Sequence, residues 1–185
     1  MKKRVISILL AAIFLLISTT TVFAENNQVK NYEGNFLKES GPIEITDGLR
    51  DQLKKMREKS ASDVQPMAEA PPLSYLEVYA AISSQNPTYE YFTANQTSSV
   101  ADHGGAEMYI VTAELGYGFQ RHAKIANSAF LPEVQYQMID LDNDSIVDGW
   151  FYWWDASGYD SGLFTYENRS ANYPFNTMFD SIIIK

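Results

Sequence analysis

The chain has 185 residues, no cysteine and a net charge of −9 at pH 7 when histidine is neutral. An acidic protein repels phosphate backbones, so this charge argues against nucleic acid as a partner. The lack of cysteine excludes disulfides, thiol nucleophiles and thiolate metal sites, so the fold must be held by packing, by metal or by both.

The first 24 residues have the three parts of a secretory signal peptide. Residues 2–4 are basic, residues 5–17 are almost wholly apolar, and small side chains lead to Ala24. The apolar run is short for a bilayer, so cleavage after Ala24 is predicted in preference to a membrane anchor. Removing three cations with this leader changes the net charge from −9 to −12. We therefore expect a secreted, extracellular protein without stable membrane insertion, and this charge argues against a membrane-active toxin.

Residues 25–72 predict a charged, flexible arm. Asn, Gln, Lys, Glu and Ser dominate its first part, a composition typical of segments that do not order by themselves. Within it, Thr46 to Lys59 has helical spacing that places Leu49, Leu53 and Met56 on one face. A helix of this length is marginal alone. The sequence leaves open whether the arm is a solvated tether or a removable pro-segment.

Residues 73–185 predict a single all-β domain. Runs rich in β-branched and aromatic residues alternate with turn signals, and about seven short strands with little helix indicate a β-sandwich or small barrel. Residues 120–128 also fit one or two helical turns, and their structure stays undecided. The predicted strands are Leu73 to Ile82, Thr88 to Phe92, Met108 to Leu115, Glu133 to Leu141, Gly149 to Trp154, Gly162 to Tyr166 and Met178 to Ile184.

One of these strands alternates cleanly between apolar and polar side chains. Val134, Tyr136 and Met138 are expected to face the core, and the two glutamines between them are expected to face solvent.

An acidic loop follows that strand and predicts a calcium site. Spaced carboxylates on one loop supply the oxygens that Ca²⁺ requires, in a pattern like the first three-quarters of an EF-hand loop. Two departures are Ser145, where a glycine normally turns the chain, and Phe151, where a bidentate glutamate normally binds. The alternative is a polar hairpin turn without metal. The candidate ligands are Asp140, Asp142, Asp144, the backbone carbonyl of Ile146, and Asp148.

The densest aromatic run follows the loop. Strand geometry puts Trp150, Tyr152 and Trp154 on one face, and Phe151 and Trp153 on the other. If the first face is exposed, it forms a ligand-binding platform on which sugar rings can stack. If both faces are buried, the run is a central strand of the sandwich.

The chain has two histidines, His103 and His122. A Gly-Gly turn places His103 between Asp102 and Glu107, so its imidazole can serve as a general base oriented by either carboxylate. The alternative is a solvated histidine in a turn. The absence of cysteine and of paired histidines at helical spacing argues against zinc. Glutamates that can supply a glycosidase-type carboxylate pair are Glu77, Glu90, Glu114 and Glu133.

The running sequence of Pro71 to Tyr79, Asp102 to Tyr117 and Asp140 to Trp150 resembles the YolA-like secreted proteins of Bacillus and its prophages. The resemblance covers residues 70–185 and leaves the arm outside. It implies secretion from a Gram-positive host and brings no activity or functional residue with it.

These patterns together predict a secreted, calcium-stabilised binding or interaction protein. Its expected partner is cell-wall or extracellular polysaccharide, or a surface protein of a competing cell. The alternative is a secreted hydrolase that uses His103 with Asp102 or Glu107. A flat exposed aromatic face favours sugar binding, whereas a concave pocket that gathers His103, Glu107 and His122 favours the enzyme.

Overall fold

Two helices precede eight β-strands in the residues that the computed structural model describes, which are 35–62, 70–140 and 147–185. The predicted leader, residues 1–24, lies outside this range, as do Asp142, Asp144 and Ile146 of the acidic loop. The helices are α1 (Asn35–Glu39) and α2 (Asp47–Ser62); the strands are β1 (Tyr75–Ser83), β2 (Glu90–Tyr91), β3 (Met108–Leu115), β4 (His122–Ile125), β5 (Glu133–Ile139), β6 (Gly149–Asp155), β7 (Gly162–Arg169) and β8 (Thr177–Ile184).

The strands form two antiparallel sheets that pack face to face. The larger sheet has the order β2-β1-β3-β6-β5, and the smaller has the order β4-β7-β8. Ile110 and Trp154 of the larger sheet share one buried cluster with Phe164 and Ile182 of the smaller sheet. The predicted all-β sandwich is therefore confirmed.

The inner face of β6 supplies the aromatic centre of that core. Trp154 stacks at a tilt on Tyr166 of the opposite sheet, with 5.3 Å between ring centroids. Its indole Nε1 donates to Thr112 Oγ1 at 2.9 Å. A buried indole N–H without a partner would cost free energy, and this neighbouring strand provides the acceptor.

Helix α2 covers the other face of the larger sheet. Leu49 and Leu53 are buried there against Tyr79, Phe151 and Trp153. The predicted helical face is confirmed, but the expectation of a flexible arm is wrong for this part of it. A helix that is marginal alone is stabilised here because its apolar face meets the outward aromatic side chains of the sheet.

Hydrogen bonds fix where α2 begins. Thr46 is its N-cap, because the Thr46 Oγ1 accepts from the backbone N–H of Leu49 at 3.4 Å. The Tyr79 hydroxyl donates to the Glu44 carbonyl at 2.6 Å and accepts from the Thr46 N–H at 2.8 Å. The buried tyrosine thus joins the sheet to the chain that enters the helix.

One open question about the strands is answered, and one prediction about them needs correction. The undecided residues 120–128 contain β4, which pairs with β7. Tyr136 and Met138 do not enter the core, since their exposed fractions are 62% and 56%. They lie on the face of the larger sheet that the smaller sheet packs against, as their pairing with Tyr152 and Trp150 requires. They stay exposed because β5 is the edge strand, beyond the area that the smaller sheet covers.

Candidate functional site

His103 is completely buried, with an exposed fraction of 0%. Its Nε2 lies 2.9 Å from the carboxylate of Glu90, and its backbone N–H donates to the Lys185 carbonyl at 2.6 Å. Asp102 instead accepts the N–H of Gly104, so it does not orient the imidazole. The prediction that pairs His103 with Asp102 or Glu107 is therefore wrong, because the chain turns this side chain inward onto a glutamate thirteen residues earlier.

Glu90 organises the segment that leads to His103. Its oxygens accept from the N–H groups of Val100 at 2.7 Å and Ala101 at 2.9 Å, and from the Gln96 side chain at 3.1 Å. Burial opposes ionisation of this carboxyl, but the backbone donors and His103 outweigh it and lower the pKa of Glu90 below its ordinary value. The histidine and glutamate therefore form a structural network, and an imidazole this buried has no open path to a substrate.

The two histidines lie at opposite ends of the smaller sheet. His122 pairs in register with Glu167 of β7, and its Nδ1 lies 2.9 Å from the Glu167 carboxylate. Gly162 of β7 pairs with Ile184 of β8, and His103 is bonded to the next residue, Lys185. Glu167 lies five positions after Gly162 along β7, a distance of roughly 17 Å. The pocket gathering both histidines, which would have favoured the enzyme, is therefore not formed.

Asp148 holds α2 to the sheet. Its carboxylate is buried, and Arg57 donates to it through Nη2 at 2.7 and 2.8 Å and through Nε at 3.0 Å. The guanidinium supplies the positive charge that the calcium prediction assigned to a metal, so Asp148 is not an open ligand. Across residues 35–62, 70–140 and 147–185, no group of three or more His, Asp and Glu side chains gathers closely enough to hold a metal.

The expectation that the first face of β6 is an exposed aromatic platform is wrong for two of its three residues. Tyr152 and Trp154 are buried, with exposed fractions of 5% and 3%, because β6 lies between β3 and β5 and the smaller sheet packs on this face. Trp150 is only partly buried. Its indole meets the exposed ring of Tyr136 edge-on, with 5.8 Å between centroids. Met138 pairs with Trp150 across β5 and β6 and lies on the same face.

We call Tyr136, Met138 and Trp150 the β5 aromatic surface. Arg121 lies beside this surface, because its guanidinium is 4.4 Å from the ring centroid of Tyr152, which itself stacks on Trp150. The Arg121 Nε is 3.4 Å from a carboxylate oxygen of Glu133, and both side chains are about 30% exposed. Aromatic faces thus lie beside one planar cation with several donors and one acceptor carboxylate.

Glu114 is a buried residue of β3 that pairs with Trp150 of β6. Its Oε1 accepts from the Tyr166 hydroxyl and from the Asn168 amide of the other sheet, each at 2.6 Å. Burial raises the pKa of Glu114, and the hydrogen bonds and Arg121 only partly oppose that effect. This buried carboxyl therefore joins the two sheets at the base of the aromatic surface.

Sequence reasoning found Trp150 and missed Arg121, Glu133, Tyr136 and Met138 as its neighbours. The clean alternation of β5 suggested that Tyr136 and Met138 would be core residues. Only the strand order makes β5 an edge, and strand order cannot be read from the alternation of side chains.

None of the helices described here is long and apolar enough to cross a membrane. No curated protein matches the chain. A family model described as "Domain of unknown function (DUF4879)" matches residues 65–184, a span that contains all eight strands. Because that span is more than half of the 185 residues, the chain belongs to this family.

Proposed function

We propose that the chain is an exported carbohydrate-binding protein that recognises polysaccharide through the β5 aromatic surface. The observation that carries this proposal is the exposed ring of Tyr136 set against the partly buried indole of Trp150. The signal-peptide pattern of residues 1–24 and the resemblance to YolA-like secreted proteins support export.

Sugars suit this surface because a pyranose ring has apolar C–H faces and a rim of hydroxyls. Trp150 and Tyr136 offer rings on which such faces can stack, and Arg121 and Glu133 offer a donor and an acceptor for hydroxyls. Trp150 also stacks on the buried ring of Tyr152, with 6.4 Å between centroids, so it is held in place before a ligand arrives. The acidic net charge favours neutral or amino sugars over anionic polymers.

Substitution of Tyr136 by alanine tests the proposal. Its ring is 62% exposed, so the fold should remain intact while sugar affinity falls about tenfold, or ~1.4 kcal/mol. Co-sedimentation of residues 25–185 with insoluble peptidoglycan, chitin and cellulose measures the affinity. The matched control is Tyr173→Ala, which removes another exposed tyrosine away from β5 and should change nothing. Equal effects of both variants, or no sedimentation of the unmodified chain, would contradict the proposal.

We also propose that the acidic loop after β5 binds calcium through Asp140, Asp142, Asp144 and the backbone carbonyl of Ile146, with water completing the shell. Carboxylates at alternate positions of one short loop are expected to repel one another unless a cation neutralises them, and the millimolar calcium outside cells suits a weak site.

Thermal unfolding in excess calcium and in EGTA tests this ion site. A ligand that binds only the folded state should raise the melting temperature with its concentration. Asp142→Ala should abolish the shift, whereas Asp160→Ala, an exposed acid of the β6–β7 connection, should retain it. An unmodified chain that melts identically in both solutions would rule out the site.

A further inference from the structure

The strand β5 is the longest unpaired sheet edge in the part of the chain that the structure describes. It has seven residues, whereas the edge strands β2 and β4 have two and four. The strand β8 has eight residues, but its free side is occupied at Ile183, which exchanges backbone hydrogen bonds with Thr97 and Ser99 at 3.0 and 2.8 Å. The stretch of β8 before that contact, residues 177–182, is shorter than β5. An unpaired edge presents backbone donors and acceptors that can pair with another strand.

Over most of its length this edge lacks the features that usually protect one, and its single bulge lies at one end. Natural sheets block long edges with lysine, proline or bulges, but β5 contains neither lysine nor proline. Its one irregularity lies between Glu133 and Gln135, which leaves residues 135–139 as a regular ladder against β6. Those five residues carry no charge, although the chain as a whole carries −9.

The side chains on this edge are open on both faces of the sheet. Gln135 and Gln137 are exposed on the face of α2, and Tyr136 and Met138 are exposed on the face of the smaller sheet. We infer that two copies of this chain associate through β5, as antiparallel strands related by a two-fold axis at Gln137.

A second copy fits this edge because the pairing is self-complementary. With the axis at Gln137, the two Gln137 amides face each other and can exchange hydrogen bonds. Tyr136 faces the partner's Met138 on the other side of the sheet, where a thioether packs well against an aromatic ring. No like charges meet among residues 135–139 of the two strands, whereas most other surfaces of an acidic protein repel a second copy.

The geometry has a consequence for ligand binding that rests on the proposed function. A two-fold axis perpendicular to the sheet puts both β5 aromatic surfaces on the same side of one continuous ten-stranded sheet. A single polysaccharide chain can then contact both copies, which raises the overall affinity without any new contact within a copy.

Engineered cysteines test the pairing directly, because the chain has no cysteine of its own. Directly opposed residues of antiparallel strands have Cα atoms about 4.5–5.5 Å apart, within the range of a disulfide. Gln137→Cys in residues 25–185 should therefore give a covalent dimer under mild oxidation. Gln135→Cys is the matched control: it has the same face and exposure, but its two copies would lie roughly 14 Å apart and should not cross-link.

Equal cross-linking of both variants would indicate random collision and overturn the inference, as would cross-linking at position 135 alone or at neither position. Sedimentation equilibrium without sugar gives an independent reading. The unmodified chain should show a concentration-dependent dimer, and Gln137→Lys, which places two cations at the axis, should raise its dissociation constant at least tenfold. Monomers at every concentration would overturn the dimer, while failure of sugar binding would leave it standing.

Discussion

Glu77 of β1 and Asp180 of β8 both line a groove of about 180 Å³. The Tyr75 hydroxyl donates to Glu77 at 2.5 Å, and Asp180 accepts the N–H of Val78 at 2.7 Å, so two carboxyls meet where the sheets adjoin. Burial raises the pKa of Glu77 to about 7, and repulsion from Asp180 adds to the effect of burial while the tyrosine opposes it.

This raised pKa predicts a pH-dependent stability. The folded state binds the proton more tightly than the unfolded state, so the contribution is fully present below the ordinary pKa of 4.5 and is lost as pH rises through about 7. Chemical denaturation between pH 4.5 and 8 should show a loss on the order of 3 kcal/mol. Glu77→Gln should remove most of that slope, and an unchanged slope in the variant would assign the dependence to another group.

His103 illustrates a residue whose role is structural although its local sequence suggested chemistry. His103→Ala should lower the free energy of unfolding by about 2–3 kcal/mol, because it leaves a void and removes a partner of the Glu90 carboxylate. His122→Ala is the control, since that ring lies at the surface and its loss should cost no more than about 0.5 kcal/mol. Urea unfolding measures both, and similar values for the two variants would contradict the structural role.

Among the elements, α2 shows how a helix that is marginal alone depends on its surroundings. The period of Leu49, Leu53 and Met56 predicts the helix, and the sheet beneath it explains why a short helix persists. Arg57 adds a charged anchor by pairing with Asp148, ninety-one residues later in the chain. The helix is therefore part of the folded unit and not a tether.

Substitution on the buried face of α2 should show this dependence. Leu53 has no exposed surface, so Leu53→Ala should cost about 2–5 kcal/mol through lost burial and a cavity. Lys54→Ala, one position later on the exposed face, should change the stability by less than about 0.5 kcal/mol. If both variants unfold at the same urea concentration as the unmodified chain, the helix does not contribute to the fold.

At the scale of the whole molecule, three layers follow from two hydrophobic clusters. One cluster fills the space between the sheets, and the other lies between the larger sheet and α2. The larger sheet is buried on both faces along β1, β3 and β6, which explains why Phe151 and Trp153 alternate with Tyr152 and Trp154 without a polar residue. β5 is the exception because neither outer layer extends over most of it.

The sequence by itself determined the all-β class, seven of the eight strands and the apolar face of α2, because each depends on a local period of side chains or on turn residues between strands. Strand order and coverage were decided only by the tertiary structure. They made Tyr136 an exposed residue, turned His103 towards Glu90 and set Arg57 against Asp148. Those outcomes depend on partners brought together from distant parts of the chain, and a local period carries no information about which face another element will cover.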